Sequence, residues 1–313
     1  VRSLGKIFLY VLLVLLGGAL AAPQAWHLIQ GMPPDWLGGL IGKVQGMPFH
    51  RYLSRSLQVA AILLLWPLLR SLRIHSLKEF GLFPNDRPGR DLLAGMVGGI
   101  LSILVLQPSL LASGAFTLHD VWSPGVLPRI LLTAVVVAFL EEFLFRGVLL
   151  GFFRQSIRAS WAMFFSAFLF AALHFFNLPS TTGREAPRWS EGLAALGTMG
   201  QALPSGSLFF WAFGSLLLAG MILAWVTIRT GSLWTSIGLH GCWIIGQQLF
   251  GSMAAFNAKN PEGYLPWFGP AQCHGAVPVG IVPLLSLLVA GGVAALLLRR
   301  RPLPPPLPVT CGG

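Results

Sequence analysis

Stretches near residues 5–22, 56–72, 93–112, 128–152, 160–177, 207–228, 232–252 and 276–298 of this 313-residue chain are apolar for long enough to cross about 30 Å of hydrocarbon as helices. In a bilayer every backbone N–H and C=O must find its partner inside the chain, and a helix does this segment by segment. The expected fold is therefore all-α: a polytopic membrane protein with about eight transmembrane helices. Charge content agrees, since only 10% of residues are charged, against about a quarter in a soluble domain. The formal net charge of +11 sits on no basic helix or aromatic-interleaved patch, so nucleic acid is not an expected partner. It fits a topology instead. With the N-terminus in the cytoplasm, Arg2, Lys6, Arg70, Arg73, Lys78, Arg87, Arg90, Arg154, Arg158, Arg229, Arg299, Arg300 and Arg301 fall on that side. The smaller set Lys43, Arg51, Arg55, Arg129, Arg184, Arg188 and Lys259 falls on the other, as the positive-inside tendency requires. Both termini are expected in the cytoplasm.

The first run, KIFLYVLLVLLGGALAAP, also has the basic flank, apolar stretch and small-residue site (Ala19-Leu20-Ala21) of a signal peptide. Cut or uncut, the remaining helices keep their orientation. Val1 is consistent with a non-AUG start codon, and the expected location is a bacterial cytoplasmic membrane. Under this topology Cys242 lies in the membrane, Cys273 outside and Cys311 inside, so no two can pair and all are read as free thiols. Cys311-Gly-Gly stops short of a prenylation box, and the protein is not itself expected to be prenylated. No internal repeat or soluble domain is evident. The connection WHLIQGMPPDWLGGLIGKVQGMPFHRYL and the loop 178–206 are expected at the membrane interface. The tail RRRPLPPPLPVTCGG reads as a basic anchor near anionic lipid followed by disordered polyproline II.

Against this background, AFLEEFLFRGVLL at 138–150 puts Glu141, Glu142 and Arg146 at membrane depth, where charges are expensive and usually functional. The other acidic residues, Asp91 among them, fall in connections or at helix edges, and only His174 and His240 of the histidines fall within helices. Glu142 and Arg146, four apart, share a helix face and can neutralise each other. Glu141 points about 100° away and is free to meet His174 and His240. A carboxylate with two imidazoles either holds and deprotonates a water or binds a divalent metal through one oxygen and two nitrogens. Singly, each residue also fits a plain structural role as an interhelical staple or a hydrogen-bonded core histidine. Together, on three helices, staples explain them poorly, because apolar replacements of buried charges are often neutral or stabilising. A proton or ion carrier is the competing function, but no Gly/Pro-broken pair of half-helices recurs in corresponding positions.

Three stretches then carry a resemblance: Glu141-Glu142-Phe-Leu-Phe-Arg146, Phe170-Ala-Ala-Leu-His174, and GSLWTSIGLHGCW around His240. In order and helix placement they resemble the signature motifs of the CAAX prenyl endopeptidase and bacteriocin-processing (CPBP) family of intramembrane proteases, which includes abortive-infection and bacteriocin-immunity proteins. The resemblance covers roughly residues 75–252 and implies an intramembrane endopeptidase. Glu141 would activate water, with His174 positioning or sharing it and His240 binding the water or the oxyanion. Glu142 and Arg146 would form a supporting pair, and Phe170 would be packing. The family has been read both as metalloproteases and as metal-independent glutamate peptidases, so the implied cofactor is either none or a divalent metal such as zinc on Glu141, His174 and His240. One position departs from the pattern: Ile244 stands where the family commonly has Asn or Asp, and an oxyanion donor there is worth about 10²- to 10³-fold in rate. Gln247 or Gln248 is the candidate substitute, Gln247 returning to the same helix face as His240.

The chain is accordingly expected to divide into N-terminal helices with an interfacial loop (1–74), a protease core (75–252), a loop with the last helix (253–300) and the tail (301–313). His240 lies about 12 Å from the cytoplasmic end of its helix, which suits access from that side or laterally from lipid. The expected partners are membrane lipid and peptide or membrane-protein substrates, lipid-modified ones included. A catalytically weakened binding or immunity protein is the alternative.

Overall fold

A computed structural model describes residues 2–72, 76, 78, 83–119, 123–175, 186–198, 206–257, 264–272, 277–301 and 304. In chain order the elements begin α1 (Arg2–Gln30), α2 (Trp36–Gln45), α3 (Phe49–Ser71), α4 (Pro88–Ala112), β1 (Phe116–Leu118) and α5 (Leu127–Glu142). A π-helical turn, Phe143–Leu149, leads into α6 (Leu150–Ser156), followed by α7 (Ala159–Leu173), α8 (Glu191–Gly197), α9 (Gly206–Thr230) and α10 (Trp234–Met253). Then come β2 (Ala254–Phe256), β3 (Gly269–Gln272), β4 (Val277–Val279) and α11 (Ile281–Leu298). The chain forms two compact units, one of Val1–His75 with Phe176–Ala202 and one of Ser76–Phe175 with Leu203–Gly313.

Among the described residues, five helices are long and apolar enough to cross a membrane: Gly5–Gln30, Phe49–Ser71, Pro88–Ala112, Gly206–Thr230 and Ile281–Leu298. Large apolar side chains such as Leu63, Trp66, Leu132, Val135 and Phe210 point outwards, as a lipid-facing surface demands. The other expected spans fall short for local reasons. The run 128–152 is broken by the π-helical turn, α7 has 15 residues, and α10 carries His240, Gln247 and Gln248, which lower its hydropathy. The all-α expectation also needs a small correction, because two antiparallel ribbons are present. In β1–β2, Phe116 faces Phe256 across the register, closing the end of α4 onto the end of α10; β3–β4 leads into α11.

In the first unit, Ala19 and Ala22 of α1 are fully buried against Phe49, Tyr52 and Leu53 of α3. Small residues facing large ones let the two helices close. The Tyr10 hydroxyl donates to the Ala61 carbonyl at 2.9 Å and that of Tyr52 to Val44 at 2.7 Å, satisfying polar groups that lipid could not. Cys242, in the second unit, is buried and free. Cys273, Cys311 and most of the tail and of the loop 178–206 lie outside the described residues.

The second unit is organised by glycines. A Cβ on Gly95 of α4 would lie 2.1 Å from the Thr235 carbonyl oxygen of α10, and one on Gly238 of α10 would lie 2.3 Å from the Leu92 carbonyl oxygen of α4. The backbones of α4 and α10 therefore touch, which is how transmembrane helices gain attraction when lipid competes equally for apolar side chains. The seam is pinned by Trp243 Nε1 donating to Ser102 Oγ at 2.9 Å and Gln107 Nε2 to the Gly246 carbonyl at 2.7 Å.

Asp91 lies at a helix edge as expected, in the first turn of α4, but it is buried, 3% exposed; it accepts a hydrogen bond from Asn85 and pairs with Arg301. Arg301 is thus part of the packed unit, donating also to the Thr230 carbonyl at 3.2 Å. Arg229 caps the end of α11 by donating to the carbonyls of Leu298 and Arg301, groups that have no partner inside a helix. The close seam makes a prediction. Gly238→Ala should force α4 and α10 apart at a cost of about 1–3 kcal/mol, read as a lower midpoint of thermal unfolding in detergent. Gly214→Ala, in α9 with nothing within 4 Å of the added carbon, should be neutral or stabilising.

Candidate active site

Along α5 the buried residues are Ile130, Ala134, Ala138 and Glu142, a strict fourfold spacing that places one stripe against the protein. Leu131, Leu132, Val135, Val136, Phe139 and Leu140 face outwards. Glu142 ends the buried stripe and is 0% exposed, whereas the side chain of Glu141, rotated off it, is 29% exposed. Where α5 meets α10, Ala138 lies against Gly241. Two small residues at the crossing allow His240, next in sequence to Gly241, to reach the glutamates.

The polar geometry is compact. Arg146 Nη1 lies 3.2 Å from Glu142 Oε1, with both side chains fully buried. The same carboxylate oxygen is 2.9 Å from His240 Nδ1. A carboxylate only accepts, so Nδ1 carries the hydrogen and donates it. His240 Nε2 is then left 3.8 Å from Glu141 Oε2, beyond direct hydrogen-bond length. Among the described residues Glu141 Oε2 is shielded from solvent yet has no hydrogen-bond partner in the protein. The i,i+4 pair between Glu142 and Arg146 is as the spacing suggested. Glu142's second partner was not foreseen: both glutamates address the two nitrogens of one imidazole.

The π-helical turn holds the cation. Phe145, Arg146, Gly147 and Val148, four consecutive residues, are all buried, so this turn is surrounded by protein. One of its carbonyls, that of Phe145, accepts a hydrogen bond from Ser166 of α7 at 3.0 Å. Such turns occur often at functional sites. The Arg146 guanidinium lies over the ring of Phe170, 4.2 Å from its centre, a desolvated cation–π contact. The Phe170 ring also meets His240 edge-on at 5.9 Å and His174 at 4.5 Å between centroids. Phe170, assigned only to packing from sequence, is the common surface on which the cation and both imidazoles rest.

His174 differs from its expected place inside a helix. It caps the C-terminus of α7, half-buried, with Nδ1–H donating to the Phe170 carbonyl at 2.8 Å. Gln247 is half-buried and takes no part in the hydrogen bonds of the cluster; two helical turns put it about 10 Å along the axis from His240. Ile244, one turn beyond His240, is half-buried as well. Among the described residues no group of three His, Cys, Asp or Glu side chains is arranged to hold a metal ion, so a metal on Glu141, His174 and His240 would require them to rearrange.

The family model described as type II CAAX prenyl endopeptidase Rce1-like matches residues 123–246. That is about two fifths of the chain, and it contains Glu141, Glu142, Arg146, His174 and His240. The match bears out the CPBP-family resemblance carried by the three motifs, and it supports intramembrane endopeptidase activity as the general class. Together with the long apolar helices, it indicates an integral membrane protein. No curated protein and no solved structure matches the chain.

The buried pair generates its own test. Arg146→Met leaves Glu142 charged and unneutralised, and should cost about 3–5 kcal/mol, read as a drop in the thermal midpoint of the detergent-solubilised protein. Glu142→Gln combined with Arg146→Met should recover much of that loss. A single variant as stable as the wild type would show that the pair does not hold the helix.

Proposed function

We propose that this protein is an intramembrane endopeptidase of the bacterial cytoplasmic membrane, with Glu141 activating the attacking water. The observation that carries the reading is His240, held at Nδ1 by the buried Glu142–Arg146 pair with Nε2 facing the partly exposed Glu141 across 3.8 Å. The gap is too long for a direct hydrogen bond, and a water within reach of both atoms is the group that would join them. Glu142, fixed by Arg146, orients the imidazole that faces the water Glu141 deprotonates, a third group orienting a catalytic side chain as in other activated nucleophiles.

In the proposed mechanism Glu141 takes one proton from the water as its oxygen bonds to the substrate carbonyl carbon. Neutral His240 accepts a hydrogen bond at Nε2 from the water's other O–H, which stays on the product carboxyl; a ring that enters the cycle already protonated donates Nε2–H to the oxyanion instead. Collapse of the tetrahedral intermediate breaks the C–N bond, and Glu141 returns its proton to the departing amine. His174 positions the water or the carbonyl from its place against Phe170. Buried in low dielectric, such fixed groups act more strongly than they would in water. The mechanism runs through the protein's own residues. A divalent metal such as zinc is the alternative that chelation tests.

The reading extends to eight spanning helices with both termini cytoplasmic, and to peptide or membrane-protein substrates, lipid-modified ones included. One position favours a second reading. Ile244 offers no hydrogen bond where the family commonly has a polar side chain, which is what a weakened, binding or immunity-type member would show. Gln247 remains the proposed substitute donor.

The test is turnover of quenched fluorescent peptides, with and without a lipid group, by the purified protein. Glu141→Gln should lower turnover by about 10²- to 10⁴-fold with an unchanged thermal midpoint. Ile244→Asn should raise turnover, and EDTA should leave it unaltered. Full turnover by Glu141→Gln would sink the mechanism, and EDTA-sensitive turnover restored by zinc would replace it with a metal centre.

A further inference from the structure

Away from the glutamates, a cavity of about 730 Å³ opens where the N-terminus of α4 meets the C-terminus of α11. Both helices are long and apolar enough to cross a membrane, so their shared end lies where hydrocarbon gives way to headgroups. The lining is of two kinds. Arg87, Arg90 and Arg300 supply positive charge, and Leu93, Val97 and Leu297 supply apolar surface.

The charges are not spoken for within the protein. Asp91 in the same lining is already paired with Arg301 and hydrogen-bonded by Asn85. Among the described residues Arg87, Arg90 and Arg300 form no ion pair, and all three are exposed. Among the described lining residues Asp86 is the one carboxylate left at the rim against three guanidinium groups. The N-terminal end of α4, which carries partial positive charge, points the same way.

The apolar part continues as a track. Leu93, Val97, Ile100 and Leu104 follow one face of α4 at helical spacing, and all are exposed. From Leu93 to Leu104 this face extends about 16 Å, close to half of the roughly 30 Å hydrocarbon thickness. A free anion would use the arginines alone, whereas a lipid engages the arginines and the apolar surface beside them.

We propose that this cleft is a binding site for an anionic phospholipid of the membrane leaflet that α4 enters, with the headgroup phosphate among Arg87, Arg90 and Arg300 and an acyl chain along Leu93, Val97 and Leu297. Basic recesses between membrane helices are suited to such headgroups. The site is separate from the glutamate cluster, and its test does not depend on proteolysis.

Native mass spectrometry of the full chain in a zwitterionic detergent, offered equal amounts of phosphatidylglycerol and phosphatidylcholine, reads the lipid retained. The wild type should keep phosphatidylglycerol at least about tenfold over phosphatidylcholine. Arg87→Gln/Arg90→Gln/Arg300→Gln should abolish the preference, while Arg51→Gln/Arg55→Gln/Arg129→Gln, which removes equal charge from exposed positions elsewhere, should preserve it. If the cleft triple variant does not yield folded protein, Arg90→Gln and Arg300→Gln singly should each weaken retention about fivefold. No preference in the wild type, equal loss in the two triple variants, or displacement of the lipid by millimolar inorganic phosphate would overturn the proposal; the last would mark a free-anion site.

Discussion

Two opposite charges, Glu142 and Arg146, sit where neither side chain touches solvent, 3.2 Å apart on consecutive turns of one helix. Each alone would be prohibitively expensive in that environment; together they are tolerable, and the protein around them is arranged to keep them together. The guanidinium rests on the face of Phe170 and reaches towards the Gly220 carbonyl at 3.5 Å. The carboxylate accepts a hydrogen bond from Nδ1–H of His240. An imidazole clamped at one nitrogen has its other nitrogen aimed, and here it is aimed at Glu141.

That arrangement needs α5, α7, α9 and α10 to meet at close quarters, and small residues make this possible. Gly220 of α9 lies against Ala167 of α7, and Gly241 of α10 against Ala138 of α5. Behind them, Gly95 and Gly238 let α4 and α10 touch backbone to backbone. The π-helical turn then surrounds Arg146 with protein on every side. The polar cluster and the glycine seams are thus parts of one design: helices brought near enough for short side chains from each to share a single hydrogen-bonded group.

The sequence made part of this legible. Spacing alone paired Glu142 with Arg146 and turned Glu141 away from them, because those relations live within one helix. The motifs named the right helices to bring together. The bond between Glu142 and His240 was not readable, since it depends on how α5 and α10 rotate against each other, which helical period does not fix. Nor was the π-helical turn, whose residues look like any apolar helix. Phe170 was passed over because an aromatic one turn from a histidine is usually core. Asp91 was placed at a helix edge correctly in sequence terms, yet its partner Arg301 lies at the far end of the chain and only the tertiary fold brings it home. Helices diluted by polar residues, such as α10 with His240, Gln247 and Gln248, read as spans by pattern yet are less apolar than the five long apolar helices.

If Glu141 and His240 act on one water, they must act as a unit. The most direct measurement is a double-mutant cycle on peptide turnover with Glu141→Gln, His240→Ala and their combination. The shared-water arrangement predicts that the combined variant is no slower than the worse single variant. Losses that multiply would mean that the two residues contribute independently, and would contradict the geometry as the source of catalysis.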